Sequence, residues 1–265
     1  MIKIGFIGGG NMAGAMIKGL CKTKEYRVFI SEKKDERRKI LRKLFKGIEV
    51  YNDNKRLVRE NDLIILACKP QDIKDVCTQI KNVNKKDKLF LSILAGVTTA
   101  SIYNMMGDGC RIVRAMPNSP ALIGKGITAL AKGVNATHRD LNISRKLMSS
   151  VGEVVIVGEE DINWVTAISG SGPAYCFYLM ESMIEAGKDS GISQEIIRKL
   201  VLNTLSGASE LALRSDKDII ELRQMVTSKR GTTESAIKYF QRKRLKNIIK
   251  QGIKRAKKRA DELGT

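Results

Sequence analysis

Residues 5–14 read Gly5-Phe6-Ile7-Gly8-Gly9-Gly10-Asn11-Met12-Ala13-Gly14, directly after Ile2-Lys3-Ile4. Gly8, Gly10 and Ala13 fit G-x-G-x-x-G/A at the point where a first strand should turn into a first helix, and that placement gives a short pattern its weight. The chemistry it suits is capture of a diphosphate. Residues without Cβ make the tight turn and let the main chain come close to the anion. The N–H groups and positive dipole end of the following helix then hold the charge. Acid–base chemistry has to run without histidine, because the single one, His138, lies in a polar turn (residues 135–140) where Thr137 is placed to cap a helix. Cysteines 21, 68, 77, 110 and 176 are odd in number and lack C-x-x-C spacing. They read as reduced thiols, with no metal site expected.

The elements that must carry the glycine loop are legible in the hydrophobic pattern. Met12, Ile17, Leu20 and Cys21 give Asn11–Cys21 an apolar helix face. Up to about residue 158, short apolar runs alternate with helical patterns, as in βαβ units with a parallel sheet. The spacing predicts strands at Lys3–Ile7, Arg27–Ser31, Ile48–Val50, Leu63–Ala67, Leu89–Leu94, Arg111–Ala115, Thr128–Ala131 and Val154–Val157. Beyond Asp161 the patterns are helical: Ser171–Gly191, Gln194–Arg214, Asp218–Met225, Thr233–Phe240 and Arg242–Leu263. The expected class is α/β, with an N-terminal Rossmann-type doubly wound sheet (residues 1–160) followed by an all-helical C-terminal domain (161–265). So much apolar surface on helices calls for a partner subunit.

The chain of 265 residues carries a net charge of +20, and residues 242–259 hold ten of its 48 basic side chains. Aromatic residues are not interleaved with that charge, which speaks against base stacking and nucleic acid. Leu245, Ile249, Gly252, Ala256, Ala260 and Leu263 recur at helical spacing, so the segment reads as a packed amphipathic helix. The positive field favours small anionic ligands. No apolar run reaches the roughly 20 residues of a membrane span, and the first residues lack the pattern of a signal peptide; a cytoplasmic protein without membrane contact is expected.

At the end of the second predicted strand stands Ser31-Glu32-Lys33-Lys34, with Arg37 and Arg38 beyond. An acidic residue here binds the ribose 2′-OH of NAD, whereas hydroxyl and basic groups accept the 2′-phosphate of NADP. Glu32 would repel a phosphate if it points inward. Ser31 with Lys33 or Lys34 would welcome one. The signal is mixed: NADPH is expected with NADH as the alternative, and charges that are all solvated and read neither ribose would give the same sequence.

Four further stretches join the glycine loop in a resemblance to the pyrroline-5-carboxylate reductase family. They are Ala67-Cys68-Lys69-Pro70-Gln71, Ser92-Ile93-Leu94-Ala95-Gly96-Val97, Arg114-Ala115-Met116-Pro117-Asn118-Ser119-Pro120-Ala121 and Ala167-Ile168-Ser169-Gly170-Ser171-Gly172-Pro173-Ala174-Tyr175. The resemblance runs to the terminal Ala260-Asp261-Glu262-Leu263-Gly264. It implies a helical dimerisation domain, a homodimer or higher homo-oligomer, and reduction of L-1-pyrroline-5-carboxylate to L-proline by NAD(P)H, the last step of proline synthesis. It also implies roles for particular residues. Gly8, Gly10, Asn11 and Met12 fall at the pyrophosphate, Ser31 near the adenosine ribose, Asn54 and Ala67, Cys68, Lys69 and Pro70 along the cofactor groove, and Ala95 near the nicotinamide. Glu159 is expected to reach the substrate ring, and Ser228, Gly231, Thr232 and Thr233 to bind substrate, with Thr233 in a catalytic role at the ring nitrogen. Lys69 and Cys68 are read as groove-lining backbone and a buried strand-end thiol rather than as acid or nucleophile.

One segment departs from the family. Its Thr-Ser-Pro-Gly-Gly-Thr-Thr loop is here Thr227-Ser228-Lys229-Arg230-Gly231-Thr232-Thr233. Arginine resists the positive φ that glycine accepts, so either the loop is reshaped or the family glycine never needed that conformation. The change leaves two other readings in play: a related β-hydroxyacid dehydrogenase, and a catalytically silent relative that keeps the nucleotide fold for a regulatory or interaction role.

Overall fold

A computed structural model describes residues 1–23, 25–107 and 109–263; Gly264, the end of the terminal motif, lies outside the described residues. The chain forms two compact units. One is Met1–Ser171 joined by the stretch from Ala256 onward, and the other is Gly172–Arg255. The division differs from one near residue 160 because the first helical turns after the last strand still belong to the sheet. Ile162 is buried against Ala129 and Ala131, with Val165 packed beside it. A change of hydrophobic period marks the end of strands, not the end of a core.

The first unit is built on one sheet. Its strands are β1 (Ile2–Ile7), β2 (Tyr26–Ser31), β3 (Glu49–Tyr51), β4 (Leu63–Leu66), β5 (Lys88–Ser92), β6 (Cys110–Met116), β7 (Gly126–Lys132) and β8 (Gly152–Ile156), in the order β3-β2-β1-β4-β5-β6-β7-β8. All eight expected strands are present. Helices α1 (Asn11–Leu20), α2 (Asp35–Leu44), α3 (Asn54–Glu60), α4 (Ile73–Ile80), α5 (Thr99–Met106), α6 (His138–Met148) and α7 (Ile162–Val165) follow them. Central strands are apolar on both sides because both faces are covered. Leu63 and Ile65 of β4 enter one core cluster with Ile4, Phe6 and Leu91; Ile64 and Leu66 enter the other with Ile7, Phe90 and Ile112.

One strand departs from the parallel sheet expected from the pattern. β7 runs antiparallel to β6. Only residues 117–125 join them, and a parallel return requires a crossover of about a dozen residues or more. His138 is also not in a loop: it is the first residue of α6, exposed beside Thr137, which caps the helix in a capping box with Asp140.

In the second unit α8 (Gly172–Ala186), α9 (Gln194–Arg214), α10 (Ile219–Met225) and α11 (Thr232–Arg242) follow, and α12 (Leu245–Glu262) leads back into the first unit's share of the chain. α12 starts three residues later than expected because Arg244 takes a φ of 54° and breaks the helical path. No residue of α8, α10 or α11 is buried. Phe177 and Tyr178 are 62% and 71% exposed, and Ile219 and Met225 are equally open. Among the described residues no helix is long and apolar enough to cross a membrane.

Candidate functional site

The order β3-β2-β1-β4-β5-β6 places β1 at the centre, with the chain wound outward to either side, and ligands of such sheets bind where the strand order reverses, between β1 and β4. The glycine loop sits there. Gly8 has a φ of +100°, and a Cβ on it would lie 2.6 Å from the Ala67 carbonyl oxygen and 2.8 Å from the Cys68 nitrogen. Its N–H donates to the Ser31 carbonyl at 2.8 Å. A Cβ on Gly9 would strike Leu41 of α2. Gly10 is different: it has an ordinary φ of −68°, and a Cβ there meets nothing within 4 Å. The first two glycines serve the fold, and the third leaves open space at the start of α1. No side chain caps that helix start, so its end N–H groups and dipole face the opening. A main chain without a cap, fronted by a glycine with room before it, fits a diphosphate.

Gly8, Gly9, Gly10, Asn11, Ser31, Asn54, Ala67, Cys68 and Lys69 line one cleft of about 380 Å³. Most of the expected cofactor residues are therefore brought together. Met12, Pro70 and Ala95 are not in that lining. Met12 packs against the core beneath. Pro70 opens the short turn Pro70–Asp72, whose chain is fixed by Asp72 N–H donating to the Lys69 carbonyl at 2.9 Å. Ala95 is half-buried ahead of Gly96, whose φ of +78° turns the chain against Leu263 of the C-terminal segment. Burial pushes the Cys68 thiol up to about 11, which keeps it protonated and unreactive.

Sequence reasoning gave no firm role to Glu32, Arg37 and Asp72, and all three line the cleft. The Glu32 carboxylate accepts the Gly9 N–H at 2.9 Å and the Lys34 N–H at 2.9 Å. Arg37 Nε donates to the Gly9 carbonyl at 2.7 Å, and Lys33 pairs with Asp72 at 2.7 Å. Only the first has a sequence signal, its spacing from the glycines.

Glu159 is engaged within the first unit. Its carboxylate accepts the Thr99 N–H at 2.7 Å and the Thr99 hydroxyl at 2.6 Å, at the start of α5, and faces Arg114 at 3.7 Å. Arg114 is 1% exposed. Its Nη2 donates to Asn163 Oδ1 at 3.1 Å, and Asn163 in turn donates to Asp261 at 2.9 Å. Burial pulls the Arg114 guanidinium below its usual value and Glu159 opposes that shift. Glu159 is thus the counter-charge of a buried arginine and a helix cap.

Two of the motifs that carry the family resemblance touch each other. Asn118 Nδ2 donates to Ser169 Oγ at 3.2 Å while its Oδ1 accepts the Ile127 N–H at 3.0 Å. A Cβ on Gly170 would meet the end of Met116 at 2.5 Å. Residues 166–170 make a π-helical turn, closed by Ser171 N–H on the Thr166 carbonyl at 2.8 Å. Packing accounts for Gly170, and Ser169 is engaged by Asn118.

In the helical unit, Ser228, Gly231, Thr232 and Thr233 sit together at the start of α11. Gly231 is the N-cap, no side chain caps the helix, and the Gly231 N–H donates to the Ser228 carbonyl at 3.0 Å. Arg230 takes a φ of 62°, so the loop keeps a left-handed conformation and arginine adopts it. Glu234 compensates by accepting the Arg230 N–H at 2.9 Å, which with Lys238 at 3.2 Å holds its carboxyl below the usual range. A left-handed non-glycine residue costs about 1–2 kcal/mol, and glycine gives back part of that through the unfolded chain. Arg230→Gly should therefore raise stability by about 0.5–1 kcal/mol, read as a higher urea midpoint. An unchanged or lower midpoint would mean that the arginine side chain contributes more than its backbone costs.

A sequence model described as pyrroline-5-carboxylate reductase dimerisation matches residues 159–263, and one described as NADP oxidoreductase, coenzyme F420-dependent, matches residues 3–96. A pyrroline-5-carboxylate reductase of Pseudomonas aeruginosa is 38% identical over 98% of this chain and 96% of its own. The structure of a pyrroline-5-carboxylate reductase from Coxiella burnetii is 35% identical over 99% of this chain and 98% of that one, with a TM-score of 0.89. That of Plasmodium falciparum pyrroline carboxylate reductase with NADP bound is 28% identical over 100% and 98%, also with a TM-score of 0.89. With the glycine loop at the β1–β4 crevice, a helical C-terminal region and relatives matched from end to end, the chain belongs to the pyrroline-5-carboxylate reductase family.

Proposed function

We propose that this chain reduces the ring C=N of L-1-pyrroline-5-carboxylate to give L-proline, with a reduced nicotinamide dinucleotide as hydride donor. The observation that carries the reading is the glycine-lined cleft before the uncapped start of α1. Bound there, the dinucleotide supplies the hydride, and the protein's task is position and electrostatics. The main chain of Gly10 and Asn11 takes the diphosphate beside the turn that Gly8 makes possible, Ser31 lies at the adenosine ribose, and Asn54 and residues 67–69 line the groove.

The substrate is an anion with a weakly basic ring nitrogen. The N–H groups of Thr232 and Thr233, aided by the dipole of α11, take its carboxylate, and Gly231, whose own N–H is held by the Ser228 carbonyl, shapes the turn that presents them. The Thr233 hydroxyl hydrogen-bonds the ring nitrogen, and protons come from water. Lys229 and Arg230 add positive charge beside that carboxylate. On this reading Thr233→Ala lowers kcat/KM about tenfold or more, near the ~1–2 kcal/mol of one hydrogen bond. An unchanged value removes Thr233 from the mechanism. The open apolar faces of α8 and α10 belong, in the same reading, to contacts between copies of the chain in a cytoplasmic homo-oligomer.

The test of the activity itself is steady-state consumption of NADH and of NADPH on addition of the imine acid. Consumption with formation of proline supports the reading. Consumption only with a 3-hydroxy acid's oxo form would move the chain to the hydroxyacid dehydrogenases, and none with any substrate would make it a silent relative.

A further inference from the structure

We infer that Glu32 makes this chain select NADH over NADPH. The inference rests on the dinucleotide reading of the cleft and goes beyond it, since that reading is indifferent to the 2′-phosphate. Glu32 is the first residue after β2 and lies 23 residues from Gly9. That is where an acidic side chain in such a sheet meets the adenosine ribose.

The sequence left its direction open; the geometry does not. The carboxylate is turned in toward the glycine loop and held there by two main-chain N–H groups, those of Gly9 and Lys34, one on each oxygen. The Gly9 donor is fixed, because the Gly9 carbonyl is itself clamped by Arg37 Nε at 2.7 Å. A carboxylate oxygen so held accepts a hydrogen bond from a ribose hydroxyl. It repels a phosphate put in the same place, by Coulomb energy that low-dielectric cleft walls strengthen.

The neighbouring cations do not cancel this. Lys33 gives its ammonium to Asp72 at 2.7 Å, which brings a second carboxylate to the same cleft. Arg38 gives its guanidinium to the Glu32 and Lys33 carbonyls, at 2.9 and 2.8 Å, and to Asp35 at 3.0 Å. Arg37 is tied to the glycine loop. A 2′-phosphate would have to draw Lys33 and Arg38 away from existing partners while facing Glu32. Lys34 and Lys69 also line the cleft and add positive charge to it, but the carboxylate stays held at the ribose corner by its two main-chain donors.

The experiment measures binding and turnover separately. Dissociation constants of NAD⁺ and NADP⁺ are determined by calorimetry on the wild-type protein, then on Glu32→Gln and Glu32→Ser. Expected are at least tenfold tighter binding of NAD⁺ by the wild type, and a fall of that ratio by at least tenfold in both variants. The kcat/KM ratio for NADH against NADPH should move in parallel. Tighter or equal binding of NADP⁺ by the wild type overturns the inference, and so does an unchanged ratio in the variants. Should a variant fail to fold, the wild-type ratio still decides. If neither cofactor reduces the imine yet NAD⁺ binds preferentially, the proposed reaction fails and the inference stands.

Discussion

Alanine at Gly10 should weaken dinucleotide binding about ten- to a hundredfold and leave the free protein within about 1 kcal/mol of wild-type stability. Alanine at Gly8 should instead unfold the protein more easily, by about 2–4 kcal/mol. The two glycines are two positions apart and differ in what surrounds them. Gly8 holds a left-handed φ, and its missing Cβ is replaced by main-chain atoms of Ala67 and Cys68 at 2.6–2.8 Å, which cannot swing aside. Gly10 has an extended backbone that any residue adopts and open space where its Cβ would be. In the free protein that space costs nothing to fill, apart from the small loss of glycine at an N-cap. A penalty that emerges only with ligand present must come from the ligand. Calorimetric titration and urea unfolding of both variants separate the effects. If Gly10→Ala bound the dinucleotide as well as wild type, the diphosphate would not lie against this turn.

Glu159→Ala should destabilise the protein by about 3 kcal/mol, at the lower end of the cost of removing one member of a buried ion pair. The lower end is appropriate because Glu159 is 26% exposed and the pair stands 3.7 Å apart. The change leaves a guanidinium 1% exposed, whose Nε already lacks a hydrogen-bond partner among the described residues. It also strips the Thr99 N–H and hydroxyl of their acceptor. Glu159→Gln keeps the size and one acceptor and should recover part of the loss. The prediction sets structure against resemblance. A glutamate that reaches the substrate ring would change KM for the imine acid at constant stability. A counter-charge to Arg114 changes the urea midpoint first, with KM near wild type in the protein that remains folded. A loss confined to KM would return Glu159 to the substrate site.

Much of the molecule could be read in the sequence because local pattern and tertiary fold agree there. β4 (Leu63–Leu66) is apolar throughout because both its faces are covered, and the first glycine loop is fixed by a strand before it and a helix after it. The features that escaped the pattern are set by partners distant in the chain. Nothing local reveals that Glu159 faces Arg114, or that Glu32 turns toward Gly9 and not toward solvent. Helix periodicity continues across Arg244, where a single residue of φ 54° ends one helix and starts another. The direction of β7 depends on the length of the link 117–125, which no periodicity reports. At Arg230 the sequence poses a choice: a loop reshaped or a strained arginine. The outcome, a φ of 62° secured by Glu234, depends on an acceptor four residues away whose sequence signal is only that of a helix residue.

In the proposed reading, main chain at the head of α1 grips a diphosphate so that a hydride reaches a ring C=N. The most direct test is a single-turnover reaction of purified protein with nicotinamide deuterated at its transferring position and the imine acid. The expected result is loss of nicotinamide absorbance matched one-for-one by proline, with deuterium on the former imine carbon. Dinucleotide that binds, but transfers no deuterium to that carbon under any ratio of the two reactants, would contradict it.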